Sequence, residues 1–250
     1  MRIQLFKHFF IMCFVQECGV NYILDKADFT AKISISPNAA GNLIIPQEIN
    51  FQSQNYILTK IEDSSFKGNK QIKSISFTKN TKNEDDQSNN NSFNWIGRYS
   101  FEHSSIEKVY IPKDVETIDV GAFCLCEKLK TVEFEENSKL NVVFEKTFMQ
   151  SSIEYIIFPR ETQLIEYQCF SGCENIKNIE FLGDELRIGV CCFENDCNLI
   201  LLSFPNAHKI KMNHPIIPKG CSIFTMKMYF YRTITGNYYW DINKGLPDLF

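Results

Sequence analysis

Ten cysteines and four histidines are the residues of this 250-residue chain with the most chemistry to offer. Cys192-x4-Cys197-x10-His208-x5-His214 comes close to the order of a two-cysteine, two-histidine zinc site, in which thiolate and imidazole donors close a tetrahedron. The fit is imperfect. The gap between the pairs is short of the usual ~12 residues, and the last histidine interval stands at its limit. A cysteine nucleophile paired with a histidine is the other possibility. No local signature surrounds any cysteine, however, and with so many of both residues some Cys/His pair is present in any order. There is no phosphate-cradling P-loop, no GxGxxG stretch and no pair of carboxylates in a recognisable frame. The expectation is a chain with no catalytic residues, no metal and no cofactor.

The cysteines have a simpler explanation, because their positions follow a repeat. Phe66, Phe101, Phe123, Phe148, Phe170 and Phe193 stand 35, 22, 25, 22 and 23 residues apart. Five or six residues after each comes an apolar triplet spaced i, i+3, i+5: Ile72/Ile75/Phe77, Ile106/Val109/Ile111, Leu129/Val132/Phe134, Ile153/Ile156/Phe158, Ile176/Ile179/Phe181 and Leu199/Leu202/Phe204. Cys169 and Cys192 directly precede an anchor phenylalanine, and Cys126 and Cys173 follow one by three. Such places suit small, buried, apolar side chains. Cys126 and Cys173 are two coils apart, roughly 10 Å at a spacing of ~4.8 Å per coil, beyond the ~7 Å Cα reach of a disulfide. Cys169 and Cys192 occupy neighbouring coils, but parallel stacked side chains rarely present the right torsion.

A period in the low twenties marks a solenoid, whose coils cannot bury their apolar face alone and must stack. The expected fold is a β-rich solenoid of about six coils, with a parallel β ladder and non-repeat caps at both ends. Residues 1–18 have the order of a secretory signal, with Arg2 and Lys7 before the apolar run Phe9 to Val15. An amphipathic start to a cytosolic protein is the alternative. Residues 19–60 lack the repeat but hold short strand-like runs, and are read as an N-terminal β cap. Residues 61–205 form the solenoid, interrupted by a polar loop insert at 79–92. Residues 206–250 are read as a C-terminal cap, with a hairpin around Thr235-Gly236-Asn237.

The segments SSIEKVYIPKDVETIDVGAFCLCEKLKTVEF and SSIEYIIFPRETQLIEYQCFSGCENIKNIEF carry a resemblance. The chain resembles the BspA-type leucine-rich repeat proteins, with their pattern CxxLxxVxFPxxVxxIgxxAF, over about Gly41 to Phe204. Thr147, Cys169 and Cys192 stand where the pattern has Ala, and the interval from Phe66 to Phe101 is too long for one coil. The resemblance implies a leucine-rich repeat right-handed superhelix for the solenoid, and a surface or secreted protein engaged in adhesion.

Composition narrows the function further. The net charge of −4 comes with no basic block, which excludes nucleic acid as an expected partner. No run approaches the ~20 apolar residues of a membrane-spanning helix. What remains is surface. Alternation along each triplet turns its second and fourth following residues outward: Ser74/Ser76, Lys108/Tyr110, Thr131/Glu133, Tyr155/Ile157, Asn178/Glu180 and Leu201/Ser203. Solvated strands ordinarily carry polar residues, so Tyr110, Tyr155, Ile157 and Leu201 point to a patch for binding protein partners. β-propensity accounts for the same residues without a ligand. The binding residues expected from this reading are Lys108, Tyr110, Thr131, Glu133, Tyr155, Ile157, Asn178, Glu180 and Leu201. Asn90, in Asn90-Asn91-Ser92, is the expected glycosylation acceptor. The protein is expected to be a monomer at the cell surface or outside the cell, with a cytoplasmic scaffold as the alternative.

Overall fold

The computed structural model describes residues 12–78, 92–196, 198–214 and 216–225, together with the backbone of 230–232 and 238–241. Asn90, most of the 79–92 insert, residues 1–11 of the leader, Cys197 and the turn at 235–237 lie outside the described residues.

Every described element is a strand or a turn. The chain opens with β1 (Met12–Glu17), β2 (Val20–Asp25) and β3 (Thr30–Ile33), paired antiparallel in sequence. Cys18 and Gly19, both at positive φ, make the two-residue turn between β1 and β2. A Cβ on Gly19 would sit 2.4 Å from the Asn38 carbonyl oxygen, so this turn requires glycine.

Coiling begins at β4 (Gly41–Ile45). After the hairpin β5 (Glu48–Phe51) and β6 (Gln54–Ile61), each coil supplies one strand to each of two sides of the solenoid. The first side is built from triplet strands: β4, β7 (Ile72–Phe77), β9 (Lys108–Ile111), β11 (Thr131–Phe134), β13 (Tyr155–Phe158), β15 (Asn178–Phe181), β17 (Leu201–Phe204) and β19 (Ser222–Thr225). These eight strands mark about eight turns, against the six counted from the anchors. The second side is β6, β8 (Trp95–Ile96), β10 (Thr117–Ile118), β12 (Val142–Val143), β14 (Leu164–Ile165), β16 (Glu185–Ile188) and β18 (Lys209–Met212), parallel and unbroken. β3 joins its start, parallel to β6. At the far end β21 (Tyr238–Asp241) pairs antiparallel with both β18 and β20 (Phe230–Arg232).

The third side is the segment around each anchor phenylalanine. It is no strand, yet it is hydrogen-bonded along the axis as regularly as one. The N–H of Phe66, Phe101, Phe123, Phe148 and Phe170 donates to the carbonyl just before the next anchor, at 2.7–3.0 Å. The residues two before and two after the anchor donate forward in the same way, as Tyr99 does to Val120 and Leu125 to Met149. Both flanking positions are left-handed in every coil: Ser64, Tyr99, Gly121, Lys146, Gln168 and Cys191 before, and Gly68, His103, Leu125, Gln150, Gly172 and Asn195 after. Most are not glycine, and each such residue costs about 1–2 kcal/mol. Burial of the anchor ring contributes about 1.5–3 kcal/mol and stacking about 0.5–1.5 kcal/mol, enough to offset the pair. The six anchor rings form one stack with centroids 5.0, 5.0, 5.7, 5.4 and 6.2 Å apart.

A polar spine runs beside these rings, at the third residue after each anchor. Cys126 donates its thiol to the Phe101 carbonyl at 3.0 Å and lies 3.5 Å from Ser104 Oγ. Cys173 repeats both contacts with Phe148 and Ser151. Asp196 ends the series: its Oδ1 accepts the Cys173 N–H at 2.9 Å, while Oδ2 is buried without a partner. The thiols at this position are therefore hydrogen-bonded as well as packed.

The packing of the coils can be tested at two positions. Gly97 lies where a Cβ would come within 2.7 Å of the Ile61 carbonyl oxygen and 2.8 Å of the Asp63 nitrogen. Gly97→Ala should destabilise the fold by about 1–3 kcal/mol. Urea unfolding measures this, and a loss below about 0.5 kcal/mol, the range of a neutral surface change, would remove the steric explanation. Burial raises the Asp196 carboxyl to about 8, opposed by the N–H groups of Cys173 and Gly172; the thiols of Cys173 and Cys192 face it. Its folded pKa is above the unfolded value of ~3.9, so folding takes up a proton. The stabilisation is complete below the unfolded pKa and is lost as pH rises toward 8. Asp196→Asn should therefore gain about 1–3 kcal/mol relative to the parent between pH 5 and 8. Parallel pH–stability curves for the two proteins would show that Asp196 is ionised in the fold.

Candidate binding surface

Burial leaves Cys124, Cys126, Cys169, Cys173 and Cys192 poorly placed to react. The nine described cysteines are free thiols, Cys169 and Cys192 among them. Burial pushes the thiols of Cys126 and Cys173 up to about 12 and that of Cys124 to about 11, and it holds Cys169 and Cys192 well above their ordinary value. A thiol must ionise to attack or to bind a metal, and burial opposes that. The zinc-like series is dispersed. Cys192 is in the core, whereas His208 is on the surface with its Nε2 3.3 Å from Glu185 Oε1. His214 is exposed on a left-handed turn. Among the described residues, no group of three or more His, Cys, Asp or Glu side chains is placed to hold a metal ion.

The first side of the solenoid carries all nine expected binding residues. Alternation buries Val109, Ile111, Ile156, Phe158, Ile179, Phe181 and Leu202, and turns the residues between them outward. The expected single ladder is corrected here: the triplet strands form two sheets. β4, β7, β9 and β11 make one four-stranded sheet, and β13, β15, β17 and β19 make another. No ladder pairing joins β11 to β13.

The break has a cause in sequence. Seven residues lie between β11 and β12, where five lie between β9 and β10 and between β13 and β14. The surplus falls in Glu135-Glu136-Asn137-Ser138, with Asn137 left-handed. Glu135 ties this turn back to the preceding coil: its N–H donates to the Ile111 carbonyl, and its Oε2 accepts the Lys113 N–H at 2.9 Å. Phe134 and Phe158 are consequently tilted by 38° at 5.8 Å, whereas Phe158, Phe181 and Phe204 stack at 5.1–5.2 Å within 7° of parallel. A cleft of about 680 Å³ opens at the break.

The expected residues thus fall into two groups. On the first sheet Thr131 stands beside Lys108, and Glu133 beside Tyr110. Lys108 Nζ donates to Glu133 Oε1 at 2.7 Å. Burial, and then the charges of Glu135 and Glu133, raise the Tyr110 phenol above its usual range. On the second sheet Tyr155 stands beside Asn178, Ile157 beside Glu180, and Asn178 beside Leu201. Tyr155 and Ile157 are 51% and 47% exposed.

Two residues of this face were not anticipated, and Ser203 does not belong to the exposed part. Ser203 is buried beside Phe224 of β19, which is itself 46% exposed. Ile44 extends the face at the other end, where β4 lies against β7. The triplet pattern ends at Phe204, so nothing in it announces that β19 adds another strand. The alternation Leu43, Ile44, Ile45 was the available signal for Ile44.

The repeat matches that of a known family. The BspA type leucine rich repeat region matches residues 94–214 in 6 copies. No curated protein matches the chain. Among solved structures, the pneumococcal vaccine antigen PcpA is similar at 15% identity and a TM-score of 0.48, covering 81% of this chain and 50% of that one. This chain thus spans half the length of that structure. A leucine-rich repeat protein from Bacteroides capillosus shares 18% identity over 68% of this chain and 99% of its own, with a TM-score of 0.44. A leucine rich cell surface protein from Faecalibacterium prausnitzii shares 13% over 86% and 76%, with a TM-score of 0.37. The recurring anchor, the parallel coils and the six matched copies agree: residues 94–214 are a BspA type leucine rich repeat region.

Proposed function

We propose that the chain is a non-catalytic protein-recognition module, at the surface of its cell or secreted, that binds protein partners through the outward face of its first side. The observation that carries this reading is the strip of exposed apolar side chains on the second sheet: Tyr155 and Ile157 on β13, and the half-buried Leu201 with Phe224 across the polar Asn178 and Glu180 of β15. The strands beneath hold these side chains at fixed spacing, so little freedom is lost when a partner covers them. Aromatic residues held this way are the usual centres of binding energy. The BspA-type repeat supports a role at the surface and in adhesion. No helix of the described residues is long and apolar enough to cross a membrane.

A cytosolic scaffold of the same fold is the second reading. The nine free thiols favour it, since cysteines in oxidising compartments tend to pair. Residues 12–17, read from sequence as the end of a leader, also form β1 against β2.

Both readings are open to direct test. Labelling of intact native cells with a membrane-impermeant reagent should tag the chain; confinement to the cell interior would leave the scaffold. For the surface itself, the whole chain and a Tyr155→Asp/Ile157→Asp variant should be compared on an array of extracellular proteins. A loss of about tenfold or more in affinity, equivalent to ~1.4 kcal/mol, is expected, with unchanged melting and with Gln163→Lys on the second side as the control. Equal binding by both proteins would remove the strip from the interface.

A further inference from the structure

The break in the first side does more than divide the strip: it leaves a hollow within the recognition surface proposed above, and the inference rests on that reading. The cleft is lined by Val132, Phe134, Tyr155, Ile157, Pro159 and Leu182, which give it an apolar wall. Its rim holds four glutamates, Glu133, Glu135, Glu136 and Glu161, against one arginine, Arg160. Glu133 is already engaged by Lys108 and Glu135 by the Lys113 N–H. Glu136 and Glu161 are exposed and carry no ion pair among the described residues. Two negative charges therefore stand beside an apolar hollow, unneutralised.

We propose that this cleft is the anchoring subsite of the surface, and that it takes an extended segment of a protein partner in which basic side chains flank an apolar one. The apolar side chain enters between Tyr155 and Ile157, and the flanking cations meet Glu136 and Glu161. The extended form follows from the walls. β11 and β13 both end their sheets here, so the hollow is bounded by two strand edges that no neighbouring coil covers in ladder fashion. The basic character follows from the uneven charge of the rim, because a carboxylate left opposite another carboxylate is disfavoured whereas one met by a guanidinium is matched. Among the described coils, the ladder break that opens this cleft occurs at one place, between β11 and β13.

The probes are two fluorescein-labelled peptides, Gly-Arg-Ser-Ile-Ser-Arg-Gly, whose extended form turns the isoleucine and both arginines to one face, and its charge-reversed counterpart Gly-Glu-Ser-Ile-Ser-Glu-Gly, titrated against the whole chain by fluorescence anisotropy. The basic peptide should bind at least tenfold tighter than the acidic one, and more weakly as salt is raised. Glu136→Lys/Glu161→Lys should abolish that preference with melting unchanged, and Ile157→Asp should weaken the basic peptide at least fivefold. No binding of the basic peptide up to about 1 mM, the weak end of specific affinity, would overturn the proposal. So would a preference that survives in the Glu136→Lys/Glu161→Lys variant. Array partners still lost on Tyr155→Asp/Ile157→Asp while the peptide fails would leave the broader surface standing and sink the cleft alone.

Discussion

The axial hydrogen bonds of the anchor segment are what the remaining structure depends on. Strand pairing on the first side stops once, and on the second side each middle coil contributes only two paired residues. The forward donation from Ser64 through Cys191 does not stop. It requires every second N–H to point along the axis from a segment that is turning. The left-handed residues on both sides of each anchor meet that requirement by keeping the turns from winding into a helix. The phenylalanine is then a necessity, because a segment so strained needs a large apolar side chain locked beneath it.

That constraint explains which residue types each position accepts. The residue before the anchor is Ser, Ala, Thr or Cys, since its side chain is enclosed by two neighbouring coils. Thr147 and Ser65 use their hydroxyls to satisfy nearby carbonyls, Ser100 leaves its hydroxyl unpartnered, and Ala122 has none to satisfy. Four residues before the anchor, Gly97 and Gly189 admit close approach of the preceding coil's backbone.

Much of the fold was legible because a repeat states its rule several times. The anchors, the triplets and the burial of Val109, Ile156 and Ile179 could be read from spacing alone. The second side was not legible: strands such as β10 and β14 are two residues long, too short for any alternation to show. The outward residues Lys108 to Leu201 could be named for the same reason as the inward ones. Their division into two sheets was not anticipated. It depends on two extra residues in a polar turn, which spacing records only as an interval of 25 between Phe123 and Phe148. The spine thiols were legible as buried, but not as hydrogen-bond donors, since that depends on a carbonyl one coil away.

The interruption between β11 and β13 also bears on how the molecule holds together. In a stack where each unit touches only its neighbours, stability is a sum over units and the contacts between them. Every contact among the middle coils has three hydrogen-bonded sides, but between the fourth and fifth the first side keeps no strand ladder and only a long bond from the Glu154 N–H to the Lys130 carbonyl, at 3.5 Å. That contact is the natural boundary between cooperative blocks. A load carried along the stack therefore acts first on the least reinforced joint in the array, at the place where the hollow opens.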